Sequence, residues 1–378
     1  MMGAAIAYFL TRHGFSGRIL MVEKDLSFTH TATGLSAGGI RQQFSILENI
    51  RLSQFTLNLI RRLKDEFGPE ADIGFHERGY SILASQQGLP QLNANIGVQR
   101  EAGANIDCLS PDQLAARFDY LNIDGLAGGS FSQSGEGWLD ANGLMNLLRK
   151  AARQNGAQLI QDEVIRLEVE QNKITSAHLA SGDKISCGMF INAAGPAAGK
   201  LAATAGIHLP VQPAKRYVYV LDCRHAPENL HHAPLTVDPS GVWFRPEGMN
   251  FICGRSPDPE DEPQELDFEV DHRFFEEKIW ENLAFRIPAF EAIKVISSWA
   301  GHYDYNSLDQ NGIIGPHPEI NNFIFANGFS GHGMQQGAGV GNAIAELITK
   351  GRYETIDLAR LGYERIMNNK PFFELNII

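Results

Sequence analysis

Cysteine is scarce in this sequence and never closely spaced. Cys108, Cys187, Cys223 and Cys253 are the only four in 378 residues, and no two form a CxxC pair. That spacing indicates neither a disulfide framework nor a zinc site, and it fits a reducing compartment such as the cytoplasm. Basic residues are outnumbered, 32 Lys and Arg against 44 Asp and Glu, for a formal net charge of −12. Such a balance disfavours nucleic acid and anionic membrane as partners. No apolar run reaches membrane-spanning length, so no integral membrane segment is expected. Met1 to Leu10 is apolar, but it has no basic region before it and no cleavage site after it, unlike a signal peptide. Internal repeats and low-complexity tracts are absent. The chain is too long for one ordinary core, which gives a prior of two domains.

Glycine, by contrast, is concentrated. The stretch Asn322 to Leu347, NFIFANGFSGHGMQQGAGVGNAIAEL, reads as strand, glycine-rich turn and helix. Phe323 to Ala326 has strand character and Ala343 to Ile348 helical character. Between them fall Gly328, Gly331, Gly333, Gly337, Gly339 and Gly341. A bare turn entering a helix lets backbone N–H groups approach a ligand, and the helix N-terminus favours negative charge. The alternative is a tight connection packed with small residues.

Near the start, Gly3 to His13 is a helix, Arg18 to Val22 a buried strand, and Glu23 an acid at the strand's end. A dinucleotide-binding βαβ unit has this second half: helix, strand, and an acid that bonds a ribose hydroxyl. Its first strand and first two glycines are not present, and Gly3 falls where the third glycine belongs. His30 to Phe44, HTATGLSAGGIRQQF, suits a loop wrapping a ligand, followed by a helix starting near Arg41. Leu52 to Phe67 is an amphipathic helix, Arg78 to Ser85 a strand, and Leu89 to Gly103 and Ser110 to Arg117 helices. Gly125 to Gly137 is rich in turn residues and marks a crossing between domains. A helix over Asp140 to Asn155 precedes a short strand, Ala157 to Gln161, and a β-meander over Val164 to Cys187. Met189 to Asn192 is a strand leading through Ala193-Ala194-Gly195-Pro196 into a helix. Strand segments follow at Arg216 to Leu221, Val242 to Phe244 and Asn250 to Cys253. The acidic stretch Asp258 to Asp271 reads as a surface loop. Phe274 to Phe285 is a helix, and Lys294 to Tyr303 a strand.

Five motifs in this order resemble the D-amino-acid-oxidase type of FAD-dependent oxidoreductases, in the branch containing sarcosine oxidase and dimethylglycine dehydrogenase. They are TGLSAGGIRQQFS at 33–45, GEGWLDANGL at 135–144, INAAGPAAG at 191–199, DYNSLDQNGIIGPHP at 304–318 and GFSGHGMQQ at 328–336. The resemblance implies an α/β fold: a Rossmann-like FAD-binding domain over 1–75, 136–210 and 306–378, its first strand missing from the chain. A second domain over 76–135 and 211–305 would be built on a mainly antiparallel sheet plus helices. It implies that Glu23, with Lys24 beside it, bonds the adenosine ribose. Thr33, Ser36, Ala37, Gly38 and Gly39 would follow the pyrophosphate and ribityl chain, Val164 would hold the adenine, and Ala194 and Gly195 would flank the adenosine half. Gly3 would open the first helix under the pyrophosphate. Gly328, Phe329, Ser330, Gly331, His332, Gly333, Met334 and Gln335 would face the isoalloxazine, with His332 in a structural hydrogen bond. FAD would be held non-covalently, with no metal.

The implied reaction is oxidation of the C–N bond of an amino or N-methylamino acid by hydride transfer to flavin. Arg41 is the candidate for the substrate carboxylate, through bidentate guanidinium bonding, or else an ordinary surface ion pair. Tyr303 and Tyr219 are candidate lining aromatics, and Arg255 is a further candidate. The departures concern the substrate end. Sarcosine oxidases carry a lysine where Gln335 stands and an oxygen-activating lysine that corresponds to Asn250. Their flavin-linking cysteine corresponds to the neighbourhood of Gly301, and His30 is one residue out of step with the flavin-linking histidine of the dimethylglycine dehydrogenase type. A dehydrogenase is therefore expected over a fast oxidase, with an unassigned electron acceptor, in the cytoplasm, either free or peripheral to a membrane. A flavin-holding scaffold or assembly factor with little turnover is the competing class. A chain that starts at the glycine turn is expected to be preceded by an apolar strand and a Gly-x-Gly, or else to leave a break in the parallel sheet.

Overall fold

The computed structural model describes residues 1–132 and 134–375. Gln133 and residues 376–378, which fall inside the expected domain boundaries, lie outside the described residues. Two parallel ladders carry the nucleotide-binding pattern. Leu20–Glu23 pairs with Gln158–Gln161, with Glu23 opposite Gln161. Phe190–Asn192 pairs with Phe323–Asn327, whose other edge takes Ile313–Pro316 antiparallel. The two ladders are separate sheets, and among the described residues no strand joins them.

Three helices pack around these ladders. Met2–Arg12 buries Ala4, Ala5, Ile6, Tyr8, Phe9 and Leu10 in a single core with Ala141–Gln154 and Gly333–Lys350. Here the sequence reading is corrected. The helix after the glycine turn begins at Gly333, a full ten residues before Ala343, so Gly333, Gly337, Gly339 and Gly341 are helical. Only Gly328 and Gly331 belong to the turn, with φ of 72° and 96°. Glycine in a helix interior costs about 1 kcal/mol relative to alanine, and close packing accounts for its use here. A Cβ on Gly341 would lie 2.7 Å from the Ala5 carbonyl carbon, and one on Gly339 would lie 3.0 Å from the Leu52 oxygen.

The second sheet has eight strands. Their order is Lys294–Asn306, Val211–Asp222, Asn250–Gly254, Trp243–Glu247, Leu235–Val237, Tyr80–Ala84, Gly128–Ser132 and Asp107–Leu109. All neighbours are antiparallel except Leu235–Val237 with Tyr80–Ala84. The stretch expected as a turn-rich crossing thus contains a fully buried strand, Gly128–Ser132. Its glycines admit neighbours rather than make turns, since a Cβ on Gly129 would lie 3.3 Å from Leu114. Successive strand residues face opposite ways. One face, with Tyr217, Tyr219 and Leu221, is closed by Phe274, Phe275, Ile279 and Leu283 from the helical stretch 272–286. Burying each such side chain stabilises the fold by roughly 1.5–3 kcal/mol. The opposite face turns toward residues 35–39 and the glycine turn.

Gly341→Ala tests the helix contact. Helix propensity alone would raise stability by about 1 kcal/mol, whereas overpacking against Ala5 costs roughly 1–3 kcal/mol. A lower melting temperature is expected. A higher one would show that the helices can separate at no cost.

Candidate active site

The glycine turn is tied to the end of the long strand Lys294–Asn306. Phe329 N–H donates to Asp304 Oδ2 at 3.1 Å, and Ser330 N–H donates to the Asp304 carbonyl at 3.1 Å. Asn306 N–H donates to Ser330 Oγ at 3.0 Å. Burial pushes the Asp304 carboxyl up to about 6, against the downward pull of the Phe329 N–H. The Tyr303 ring covers Gly331 so closely that a Cβ there would lie 2.5 Å from it. Beyond the turn, the eighteen-residue helix starts at Gly333 with no side-chain cap on its first N–H groups. Met2–Arg12 also lacks a side-chain cap at its N-terminus, and Met2 reaches 3.4 Å from the Cβ position of Gly333. Two uncapped, positive helix ends therefore lie close together.

Residues 35–43 cross beneath the second sheet. Leu35 O accepts from Trp299 Nε1 at 2.9 Å, and Ala37 O accepts from Arg245 Nη2 at 2.8 Å. Gly39–Ile40 pairs with Gly137–Trp138, and any side chain at Gly39 would overlap the Tyr80 hydroxyl. The helix expected near Arg41 instead starts at Leu47. Two buried acceptors explain the delay: Arg41 N–H donates to Gln335 Oε1 at 2.8 Å and Gln42 N–H to Glu136 Oε1 at 2.7 Å. Glu136 Oε2 also accepts from Gln43 Nε2 at 2.7 Å.

Arg41 is itself buried and not a surface residue. Its Nη2 lies 3.3 Å from His332 Nε2, and its guanidinium lies 4.7 Å from the Phe44 ring centroid. His332 stacks edge-on against Phe44 at 5.2 Å. Burial, then the nearby Arg41 charge, holds His332 well below its usual range, so the neutral ring accepts from Arg41 through Nε2.

Residues 1–347 match the family DAO, FAD dependent oxidoreductase. The chain belongs to this family. Its cofactor is FAD. The flavoprotein is 40% identical to FAD-dependent oxidoreductase domain-containing protein 1 of Xenopus laevis, over 100% of this chain and 83% of that protein. It is 26% identical to mitochondrial sarcosine dehydrogenase of Mus musculus, over 93% of this chain and 39% of that protein. Its fold is similar to that of L-proline dehydrogenase from P. horikoshii, with a TM-score of 0.86 at 24% identity over 98% and 96% of the two chains. Glycine oxidase from Geobacillus kaustophilus follows at 0.79 and 22%, over 96% and 95%.

The residues present fit FAD. Glu23 ends its parallel strand half-buried, accepting only the Asp25 N–H through Oε1 at 3.2 Å among the described residues, with Lys24 next to it. A Cβ on Gly3 would meet nothing within 4 Å, nor would one on Gly195, so packing within the protein does not explain either glycine. Gly195 has φ of 55° and opens a helical turn after Ala194. Val164 begins the first meander strand. Thr33 is buried, and Ser36 Oγ accepts from Gly38 N–H at 3.1 Å. Met334 is buried in the first turn of the long helix.

Three sequence candidates do not join this group. Tyr219 points to the far face of the sheet, fully buried, its hydroxyl donating to the Asp271 carbonyl at 2.6 Å. Residues one apart on a strand face opposite ways, and register alone decides which way. Arg255 is engaged by Asp258 at 2.8 Å and by the Ser240 carbonyl at 3.0 Å. Asn250 sits at a hairpin end beside Met249, which is 80% exposed. On that strand Ile252, opposite both Arg245 and Val220, shares the site-facing side.

Two site residues went unforeseen, Tyr80 and Glu136. Alternation in Arg78 to Ser85 marked a strand but not which face would meet Gly39. Glu136 stood inside a quoted motif without a role. Burial, opposed by the Gln42 and Gln43 N–H groups and the Arg41 charge, pushes its carboxyl up to about 7. A carboxyl raised from 4.5 adds stability fully below pH 4.5 and loses it as pH rises through 7. Glu136→Gln removes that loss. The melting-temperature gap between variant and parent should move in the variant's favour from pH 5 to pH 8, by on the order of 3 kcal/mol. A gap flat with pH would show that Glu136 ionises normally.

Proposed function

We propose that this flavoprotein oxidises the C–N bond of an amino or N-methylamino acid. The observation that carries the proposal is the buried Arg41 guanidinium beside His332, next to the Gly331 turn under the Tyr303 ring. When bound, FAD supplies the hydride acceptor, and its pyrimidine edge gains negative charge on reduction. The chain's own residues do the rest. Arg41 binds the substrate carboxylate, and Glu136 and Gln335 hold its backbone by the N–H groups of Gln42 and Arg41. Tyr303 and Tyr80 line the site, and the burial of Tyr80, Arg41 and His332 restricts water there. The uncapped helix at Gly333 supports this reading, since its positive end would favour the negative charge that develops on reduction. The imine formed from substrate hydrolyses in water. The name of the sarcosine dehydrogenase relative supports an N-methylamino acid among the substrates.

The decisive experiment is an anaerobic spectral titration of the FAD-loaded protein with amino and N-methylamino acids. Bleaching by at least one is expected. Stable yellow flavin that no amine reduces would favour the scaffold class instead. Arg41→Met should keep the flavin spectrum and weaken the active substrate by about 30-fold, the worth of one charged pair at roughly 2 kcal/mol. Unchanged affinity would remove Arg41 from the carboxylate role.

Dehydrogenase over oxidase behaviour is part of the same proposal, on a ground other than Asn250. The sarcosine oxidases that the sequence resembles activate oxygen with a lysine ammonium. Among the described residues, Lys215 lies on the opposite face beside Tyr217, held by Asp267. Reoxidation of reduced enzyme should be slow in air and fast with a dye, and fast air reaction with no gain from dye would refute this. Flavin held without a covalent bond should stay in the supernatant after acid precipitation. Colour in the pellet would point to His30. The cytoplasm is proposed as the compartment on the four free thiols.

A further inference from the structure

The acidic stretch 258–271 is not a free surface loop. Asp258 pairs with Arg255 at 2.8 Å, Asp261 with Lys278 at 2.6 Å, Glu262 with Arg216 at 2.6 Å, and Asp267 with Lys215. His302 bonds the Asp267 carbonyl at 3.0 Å. The Phe268 ring lies between His302 and His30, at 4.6 and 4.8 Å. The segment therefore spans from the second sheet to the residues that begin the 30–44 crossing, over the edge of the site.

Of these partners, Arg216 belongs to the site. Arg216 lies opposite Gly301 in the ladder, and Ala214 lies opposite Tyr303, so Arg216 and Tyr303 share one face. The Arg216 guanidinium lies 5.6 Å from the Tyr303 ring centroid. Tyr303 in turn covers Gly331, and the next residue, His332, meets Arg41. The charges of both guanidinium groups thus act on one ring. Arg216 has its carboxylate from Glu262 through Nη1, and its Nε is buried with no hydrogen-bond acceptor.

We propose that the site takes an amino acid carrying two carboxylates, one bound by Arg41 and the other by Arg216 in place of the Glu262 carboxylate. This rests on the C–N oxidation reading above. Glu262 is a stand-in for the second carboxylate: same group, same cation, supplied by the chain until substrate arrives. Its departure is inexpensive, because its side chain is already 31% exposed and the segment keeps its other ties. The incoming carboxylate is tethered to a substrate already held at Arg41, so it competes at high effective concentration. It also brings a second oxygen for the unused Nε donor. A monocarboxylic amino acid would leave Glu262 where it is.

Matched pairs differing by one carboxylate test this on the FAD-loaded protein: iminodiacetate against sarcosine, aspartate against alanine, and glutamate against 2-aminobutyrate. Anaerobic flavin bleaching gives their affinities. Calorimetry with diglycolate against methoxyacetate, which have no amine to oxidise, reads binding without turnover. At least one dicarboxylate should bind about tenfold or more tighter than its partner, the scale of one charged hydrogen-bonded pair. Glu262→Gln should raise that ratio, and Arg216→Met should bring it to about one. Equal affinities in every pair, or a ratio that Arg216→Met leaves unchanged, would overturn the second subsite. Bleaching by monocarboxylates alone would sink the subsite and keep the C–N reading. Tight diglycolate binding with no amine bleaching the flavin would keep the subsite and sink that reading.

Discussion

Between Leu35 and Phe44 a two-residue ladder, a few turn hydrogen bonds and the Leu139 N–H satisfy part of the backbone, and side chains from distant elements satisfy much of the remainder. Trp299 and Arg245 from the second sheet donate to the carbonyls of Leu35 and Ala37. Gln335 from the long helix and Glu136 accept the N–H groups of Arg41 and Gln42. A buried backbone group left unpaired costs about 1–3 kcal/mol, so each of these side chains is held in place by what it satisfies. This one crossing locks the second sheet, the glycine turn and the long helix into a single arrangement. Arg41 takes its direction from that arrangement and not from a helix of its own.

The charges follow from the same burial. Arg41, Glu136 and Arg245 are removed from water around the crossing below the sheet, and Asp304 is partly buried at the glycine turn. Isolated, each would be costly, and proteins retain such groups when they are paired or hydrogen-bonded. Glu136 and Asp304 each take backbone N–H groups, and both are raised toward neutrality by burial. His332 is kept uncharged by the same cause, aided by Arg41. The site is therefore positive at its guanidinium groups, which suits carboxylate ligands, while its acids serve the backbone.

The errors of sequence reading have a common origin. The stretch 125–137 looked like turns because it is rich in glycine, yet Gly128 and Gly129 are in a buried strand whose neighbours need the space. Likewise Gly333 to Gly341 looked like a long turn, and those glycines let two helices approach. Glycine composition cannot separate a backbone that must bend from a surface that must be approached, since both demand a missing Cβ. Tyr219 was misplaced for a different reason: a strand's alternation is visible, but which of its two faces meets the site depends on its neighbours' register.

What the sequence determined by itself was local and ordered. The strand–turn–helix at 323–350, the helix–strand–acid unit ending at Glu23, the meander at 164–186 and the order of five motifs were enough for the family and its cofactor. Such features depend on residues a few positions apart, whose propensities and spacing are written in the chain. Tertiary structure alone decided that Glu136 would lie under Arg41, that Tyr80 would meet Gly39, and that Glu262 would cross to Arg216. Those partners are 95, 41 and 46 positions apart. No local preference encodes such contacts, because they arise only when separate elements bury their faces against one another.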